Sequence, residues 1–181
     1  MITGANDMEL DKPVVGVAVD FTQIRVVMCE VKDEPGVAAQ IFKTLADNNI
    51  TVDMIIQSYA RTFNHTNDIA FTINRDDKDK TMDILNSIKS EVGAKEIHLD
   101  ENTAKLSIVG AGMMDRPGVA AQMFETLADL DVNIKMISTS EIKISCLIDG
   151  EKAEMACNKI HEAFKLNSNE IVEVKGTLPT L

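Results

Sequence analysis

The stretch DEPGVAAQIFKTLAD at residues 33–47 is written again, with few changes, as DRPGVAAQMFETLAD at residues 115–129. The second copy begins 82 residues after the first, and the correspondence continues to Met54-Ile55 and Met136-Ile137. A repeat of this length is the size of a small domain, and it exceeds the roughly 20–50 residues of a solenoid unit. The sequence therefore predicts two small modules of one kind.

Each copy contains a Pro-Gly turn followed by an apolar stripe of helical spacing. In the first copy Val37, Ile41 and Leu45 recur at i, i+4 and i+8, and Asn48-Asn49 end the stripe. Pro fixes φ at a value that suits the first turn of a helix, whereas Gly permits positive φ. The pair therefore predicts a tight turn at the beginning of a helix.

Apolar patterns around the first turn predict four strands and a second helix. Residues 24–31 are apolar on both faces, with Val31 on the face of Val27 and Cys29, and a polar loop is expected at residues 59–67. The order β-α-β-β-α-β is the ferredoxin-like arrangement, with two helices on one face of a four-stranded antiparallel sheet. The predicted strands lie at 24–31, 50–57, 68–73 and 94–100, and the predicted helices at 37–47 and 82–92.

The second copy predicts the same order but lacks a fourth strand of its own, since only a short apolar stretch at 171–174 follows its last helix. Residues 14–19 are apolar and have no partner in the first module, so we expect them to complete the second sheet. The fold class is then α+β, with two tandem modules at residues 21–101 and at residues 1–20 plus 102–181. The second copy's strands are predicted at 106–111, 132–137 and 142–148, and its helices at 119–130 and 151–164.

The charge and composition narrow the classes of partner. The 181 residues carry a formal net charge of −11 without a Lys or Arg cluster, so nucleic acid and anionic membranes are poor partners. Amino acids, cations or another protein fit better. Hydrophobic residues are 45% and charged residues 26%, which is typical of a soluble globular protein.

No set of residues predicts a catalytic or metal site. Cys29, Cys146 and Cys157 are odd in number and widely separated, which argues against a disulfide framework and a zinc site and favours a reducing cytoplasm. The three histidines have no cysteine or carboxylate at ligand spacing, and no phosphate-binding loop or catalytic motif is present. We also expect neither an export signal nor a membrane span.

The residues do predict a binding geometry at each turn. A Pro-Gly turn at a helix N-terminus presents amide N–H groups, which favour a carboxylate through hydrogen bonds and the helix dipole. An α-amino acid carries such a carboxylate, and Asp33 with Asp53 could neutralise its ammonium while Gln57 reads its side chain. Alternatively, Asp33 merely caps the helix and Asp53 is a solvated strand residue.

The second copy keeps the scaffold and changes the polar residues. Lys135 and Thr139 stand where the first copy has Asp53 and Gln57, so two pockets of unequal chemistry are expected. Glu141 could neutralise a cationic group of a ligand, or it could be a solvated turn residue. The nearest polar candidates in this copy are Asn133, Ser140 and Glu141.

Several stretches resemble the paired ACT domains of bacterial aspartokinase. The Pro-Gly turn alone marks ACT domains loosely, whereas ISTSEIKIS at 137–145 within two tandem copies is far more specific. The similarity extends from about residue 14 to residue 164. Besides the two turns, it is carried by NITVDMIIQ at 49–57, TNDIAFT at 66–72, SIVGAGM at 107–113 and ISTSEIKIS at 137–145.

The resemblance implies feedback control of aspartate phosphorylation, the first step toward lysine, threonine and methionine. In this family lysine, threonine or both bind at ACT interfaces, usually across a dimer, and the first strand of the regulatory region completes the second ACT sheet. Which of the two effectors acts here stays open. The resemblance places effector contacts on Asp33, Gly36, Val37, Ala38, Thr51, Val52, Asp53, Gln57, Val119, Ala120, Asn133, Ile134, Ser140 and Glu141.

The family's kinase domain has no counterpart in these 181 residues. No cofactor is therefore expected in this chain, and ATP and Mg²⁺ would belong to a catalytic domain or subunit that pairs with it. The resemblance implies a separate regulatory subunit or an excised regulatory region, dimeric through its ACT domains, and the opening Ile2-Thr3-Gly4 favours the excised region. A free-standing amino-acid-binding ACT protein that regulates another enzyme is the alternative, and a small enzyme on this scaffold is a third class.

Overall fold

The computed structural model describes residues 12–58, 65–111, 113, 116–166 and 171–176. The chain divides into two compact units: the first unit is Thr22–Glu101, and the second unit joins Met1–Phe21 to Asn102–Leu181. The sequence analysis placed Phe21 in the first module. In the structure its side chain is 3% exposed and packs in the core of the second unit, so Phe21 belongs there.

Short strands alternate with 11-residue helices in both units. No helix within the described ranges is both long and apolar enough to cross a membrane. The helices are α1 (Val37–Asp47), α2 (Lys78–Ile88), α3 (Val119–Asp129) and α4 (Ala153–Ala163). The strands are β1 (Gly16–Asp20), β2 (Gln23–Lys32), β3 (Val52–Gln57), β4 (Thr66–Asn74), β5 (Glu96–Asp100), β6 (Ala104–Val109), β7 (Ile134–Thr139), β8 (Lys143–Ile148) and β9 (Ile171–Lys175).

The first unit forms one sheet in the order β3-β4-β2-β5, and each neighbouring pair is antiparallel. Ile41 and Leu45 of α1 and Leu85 of α2 are fully buried and share one core with the strand residues Ile24 and Phe71. Burying each such side chain contributes about 1.5–3 kcal/mol. The strand order is that of the predicted ferredoxin-like module, and it confirms the α+β class.

The second unit forms a sheet in the order β7-β8-β6-β1-β9. β1 pairs antiparallel with β6, from Gly16 opposite Val109 to Asp20 opposite Lys105. It therefore occupies the place beside β6 that β5 has beside β2 in the first unit. The prediction that the N-terminal strand completes the second sheet is confirmed.

The second sheet has a fifth strand that the sequence analysis did not expect. β9 pairs in parallel with β1, from Gly16 opposite Ile171 to Asp20 opposite Lys175. The expectation of four antiparallel strands is therefore wrong for this sheet. The physical reason is that the outer edge of β1 offers unpaired N–H and C=O groups, which the short apolar stretch can bond.

Gly110 allows the N-terminal segment to approach the second sheet. A Cβ atom at this position would lie 2.0 Å from the carbonyl oxygen of Pro13 and 2.9 Å from the Cα of Val14. Beside it, the N–H of Val15 donates to the carbonyl oxygen of Val109 at 2.8 Å. A side chain at position 110 would push β1 off the sheet, so this glycine serves strand packing.

A β-bulge in β2 changes which face one of its residues occupies. The pairing of β2 with β4 shifts between Met28 and Val31, and Glu30 within this interval has a φ of 52°. The extra residue returns Val31 to the helix-covered face, where it is fully buried. The expectation that Val31 shares a face with Val27 and Cys29 is therefore wrong.

The polar loop and the second helix of the first unit also differ from the pattern. β4 begins at Thr66, so Asn67 is a buried strand residue and not part of a loop. The predicted loop residues 59–64 lie outside the described residues. Helix α2 ends at Ile88, and Thr81 is buried in it where the apolar spacing had favoured Met82.

Candidate functional site

Both Pro-Gly turns place a left-handed glycine at the beginning of a helix. Gly36 precedes α1 with a φ of 99°, and Gly118 precedes α3 with a φ of 102°. A Cβ atom at either glycine would meet nothing within 4 Å, so the backbone conformation, and not crowding, requires glycine here. The space beside each turn is open.

The N-cap residue of each helix is a glycine and has no side chain with which to cap it. Among the described residues, the Asp33 side chain accepts a hydrogen bond from Asn67 and none from an amide of α1, which disfavours the alternative that it caps the helix, whereas Asp53 is an exposed residue of β3, as that alternative expects. The amide of Gln40 donates to the carbonyl oxygen of Gly36 at 2.8 Å, whereas the amides of Ala38 and Ala39 meet no backbone acceptor among the described residues. Unpaired amides at the positive end of a helix dipole favour an anion such as a carboxylate.

Asp33 is held beside the first turn by β4. Its backbone N–H donates to the carbonyl oxygen of His65 at 2.9 Å, and its Oδ1 accepts a hydrogen bond from Nδ2 of Asn67 at 3.1 Å. The β2–β4 pairing reaches this point through Val31 opposite Asn67 and Lys32 opposite Thr66. The carboxylate is exposed and thus available to a ligand.

The remaining predicted residues of the first unit lie at two opposite ends of the sheet, where the strands begin and where they end. Both β2 and β3 are antiparallel to β4, so β3 runs parallel to β2. Gln57, at the end of β3, therefore lies at the same end of the sheet as the first turn. Thr51, Val52 and Asp53 lie at the beginning of β3, at the opposite end of the sheet. Val52 is opposite Ile73, which is opposite Ile24, near the start of β2.

Asp53 is consequently far from Asp33 within the first unit. At a strand rise of about 3.3 Å per residue, the two carboxylates are separated by roughly 20 Å. The structure does not bring them together around one ammonium group. Asp53 as an effector contact remains a prediction, and it requires a site to which Asp33 of the same chain does not contribute.

The second unit divides its predicted residues in the same way. Val119 and Ala120 begin α3, which follows the end of β6. Ser140 and Glu141 follow the end of β7, which runs parallel to β6, so they lie at the same end of the second sheet. Ser140 is fixed through its N–H, which donates to the carbonyl oxygen of Lys143 at 2.8 Å, while Glu141 is exposed. Asn133 and Ile134 lie at the beginning of β7, at the opposite end of the second sheet.

The lysine that replaces Asp53 in the second copy has a structural role. Lys135 is 14% exposed and forms an ion pair with Asp149 at 2.7 Å. Its Nζ also donates to the carbonyl oxygen of Asn102 at 2.9 Å. Lys135 thereby ties the start of β7 to the segment that enters β6.

Cys146 lies in β8, Cys157 in α4 and His98 in β5, so none of them belongs to a Pro-Gly turn. Burial raises the pKa of Cys146 to about 12, and burial together with the neighbouring charge of Glu154 raises the pKa of Cys157, so both thiols are protonated at neutral pH. His98 lies in β5 and contacts Glu96 at 2.9 Å. In the described part of the chain, no three His, Cys, Asp or Glu side chains are placed to hold a metal ion.

Sequence reasoning missed Asn67 as a residue of the first turn. It was assigned to a loop, although its spacing to Ile69 and Phe71 is the strand period of two. That spacing predicts a side chain on the core face, where an asparagine is exceptional. A polar residue in an apolar register was the signal that could have revealed it.

The fold and the two open turns define the class of protein. The ACT domain family matches residues 24–87 and 106–164, and the chain belongs to this family. The chain is also 46% identical to a chain in the crystal structure of aspartokinase alpha and beta subunits. That match covers 84% of this chain and 99% of the other, with a TM-score of 0.79.

Further similarities identify the kind of ACT protein. The chain is 39% identical to the regulatory subunit of aspartate kinase from Thermus flavus, over 84% of this chain and 99% of that one, with a TM-score of 0.78. It is 40% identical over 169 residues to an aspartate kinase of Stutzerimonas stutzeri (strain A1501), which is 93% of this chain and 40% of the relative.

The chain is thus homologous to regulatory subunits of aspartate kinase, as the resemblance predicted. It spans about 40% of the length of the curated relatives it matches. It corresponds to their ACT regulatory region and not to a kinase domain.

Proposed function

We propose that the chain is the regulatory part of an aspartate kinase and binds lysine, threonine or both as feedback effectors. The observation that carries this proposal is the pair of left-handed glycines, Gly36 and Gly118, each the N-cap residue of a helix and each open on the side where a Cβ would lie. Such a function fits a chain homologous to aspartate kinase regulatory subunits. It also fits the reducing cytoplasm that the cysteines predict.

At the first turn, the effector carboxylate would accept hydrogen bonds from the amides of Ala38 and Ala39. The exposed Asp33 carboxylate would bind its ammonium group, with Gly36 and Val37 forming the floor and Gln57 contacting the side chain. A charge-assisted hydrogen bond is about twice as strong as a neutral one, which suits recognition of a small zwitterion. At the second turn, Val119 and Ala120 would supply the amides, and Ser140 and Glu141 the polar contacts.

The predicted contact residues that lie at the end of each sheet away from its turn imply that a second chain takes part in binding. Thr51, Val52 and Asp53 cannot reach the first turn of their own unit, and Asn133 and Ile134 cannot reach the second turn of theirs. A homodimer through the ACT domains would allow these residues to contribute to effector sites of a partner. Size-exclusion chromatography with light scattering, with and without 10-fold excess of each amino acid, measures this assembly.

The proposed partner is the catalytic domain or subunit of aspartate kinase, which would hold the ATP and Mg²⁺. An allosteric effector usually changes the partner equilibrium by about 1–3 kcal/mol, and the coupling is reciprocal. The catalytic subunit should therefore change the affinity for lysine or threonine by the same factor as the effector changes the affinity for the catalytic subunit.

Isothermal titration calorimetry of the whole chain tests the proposal. We expect heat from lysine, threonine or their mixture, and none from D-lysine or D-threonine, because the ammonium of the D-form would point away from Asp33. Absence of binding by both L-amino acids, alone and together, would overturn the proposal. Binding of an amino acid without any interaction with an aspartate kinase catalytic subunit would favour the free-standing regulator instead.

A further inference from the structure

Asn67 is a polar residue in an apolar position of β4. It alternates with Ile69 and Phe71, which are 3% and 0% exposed, and it is itself 2% exposed. Its side-chain oxygen has no hydrogen-bond partner among the described residues. Burying an unpaired amide oxygen costs free energy that an apolar side chain at the same position would avoid. Stability therefore does not explain this asparagine.

The polar contact of the Asn67 side chain is with Asp33. Its Nδ2 donates to Oδ1 of the Asp33 carboxylate at 3.1 Å. An amide NH₂ group can donate while a carboxylate can only accept, so the direction of this bond is determined by chemistry. The other carboxylate oxygen, Oδ2, has no partner in the part of the chain that the structure describes.

The backbone on both sides of this contact is also fixed. Val31 pairs with Asn67 and Lys32 with Thr66, and the N–H of Asp33 donates to the carbonyl oxygen of His65 at 2.9 Å. Asn67 thus holds one oxygen of an exposed carboxylate from a rigid, buried strand. A hydrogen bond to one carboxylate oxygen restricts the rotation of the group and so restricts the direction of the second oxygen.

We propose that Asn67 is a positioning residue that orients the Asp33 carboxylate toward the ammonium group of a bound amino acid. This inference rests on the proposed function. Without Asn67, an exposed aspartate would exchange between rotamers, and the ligand would have to order it on binding. The unpaired buried oxygen is then the cost of a preorganised carboxylate, a type of compromise found at binding sites.

A double-mutant cycle in the whole chain tests this role. Asn67→Leu removes the amide and keeps the approximate shape, and Asp33→Ala removes the carboxylate. We expect each single variant to weaken binding of lysine or threonine in calorimetry by about tenfold, the usual scale of a hydrogen bond to a charged group. The double variant should bind like Asp33→Ala, because Asn67 acts only through Asp33.

Thermal unfolding gives a readout that separates positioning from a structural role. Asn67→Leu should leave the melting temperature unchanged or raise it, since it removes an unpaired buried oxygen. Thr81→Val is the matched control: Thr81 is also fully buried with an unpaired side-chain oxygen, but it lies in α2 and does not contact Asp33. This control should resemble Asn67→Leu in stability and the unchanged chain in affinity.

The outcomes are distinct. If the unchanged chain binds neither amino acid, the proposed function is overturned and this inference with it. If the unchanged chain binds and Asn67→Leu binds equally well, or if the two losses add in the double variant, only the positioning role is overturned. Should Asn67→Leu not fold, Asn67→Val removes the same amide with a smaller side chain that favours strands, and the same comparisons apply.

Discussion

The two turns share their helix beginnings and differ in what surrounds them. At the first turn, β2 and β4 extend through Lys32 opposite Thr66, and this extension carries both contacts to Asp33. In the second unit, the pairing of β6 with β8 ends at Val109 opposite Lys143. Among the described residues near this turn, Glu141 is an exposed acid that lies between β7 and β8.

This difference separates scaffold from ligand chemistry. The left-handed glycine at the N-cap occurs in both units, so under the proposed function it would serve a group that the ligands of both turns share, such as a carboxylate. Besides the aspartate that both turn sequences contain, the second unit has Glu141 in its β7–β8 turn, where the first unit has no counterpart of the same length. Two sites with a common anchor and different selectivity are the expected result.

The largest expected effect tests whether the two scaffolds are equivalent. Leu45 of α1 and Leu127 of α3 are both fully buried at corresponding positions. Replacing either with alanine should destabilise its unit by about 2–5 kcal/mol through lost burial and a cavity. Urea unfolding followed by circular dichroism measures this, and a cost in one unit alone would show that the units differ in packing as well as in ligand contacts.

The next effect tests whether the two acids have equivalent roles. Asp33→Asn and Glu141→Gln each remove a charge with little change of shape, and each should weaken effector binding by about 1–3 kcal/mol if both turns are occupied. Glu34→Gln is the control for the first turn, since Glu34 is exposed and, among the described residues, its carbonyl oxygen accepts a hydrogen bond while its carboxylate makes none.

Calorimetry with lysine and threonine separately would then assign ligands to turns. A loss with one amino acid for Asp33→Asn and with the other for Glu141→Gln would sharpen the comparison. An unchanged affinity for both variants would contradict a role of these acids in binding.

A smaller effect examines the shared glycines. Gly36→Ala and Gly118→Ala introduce a Cβ that meets no neighbour, so the cost is the left-handed backbone alone, about 1–2 kcal/mol in each case. Equal losses in thermal unfolding are expected for the two variants, because neither added Cβ meets a neighbour. A negligible loss at either turn would show that its backbone can change conformation without cost.

The smallest effect distinguishes the units by pH. Burial raises the pKa of Cys146 in the second unit to about 12, so the unfolded chain loses this proton first as pH rises. Stability should therefore fall by up to about 1.4 kcal/mol per pH unit between the ordinary thiol pKa and the raised one. Urea unfolding between pH 8 and pH 10 measures the slope, and Cys146→Val should remove this contribution. An equal slope in that variant would contradict the assignment.

The sequence was sufficient for features that follow from local periodicity and from the repeat. The Val37, Ile41 and Leu45 stripe predicted α1, and the idle apolar segment at 14–19 predicted the strand that completes the second sheet. Both inferences rest on burying apolar surface, which is the dominant local signal. The family followed from short motifs that both copies retain.

The features that the sequence did not reveal depend on long-range pairing. The parallel pairing of β9 with β1 joins residues about 155 positions apart, and nothing in residues 171–175 specifies that neighbour. The bulge at Glu30, where φ is 52°, places the Val31 side chain on the opposite face of the sheet from the one that the alternation predicts. The separation of Asp53 from Asp33 follows from strand direction, which residue spacing alone does not give.

The position of β1 in the second sheet has a consequence for the order of biosynthesis. β1 precedes the whole first unit in the chain, whereas its neighbours β6 and β9 are synthesised only after that unit has been made. The first unit can close earlier, because its two ends, Thr22 and Glu101, are bonded to the same residue, Arg75, at 2.8 and 3.0 Å. Translation would thus complete the inserted module before β1 has the partner strands of its sheet.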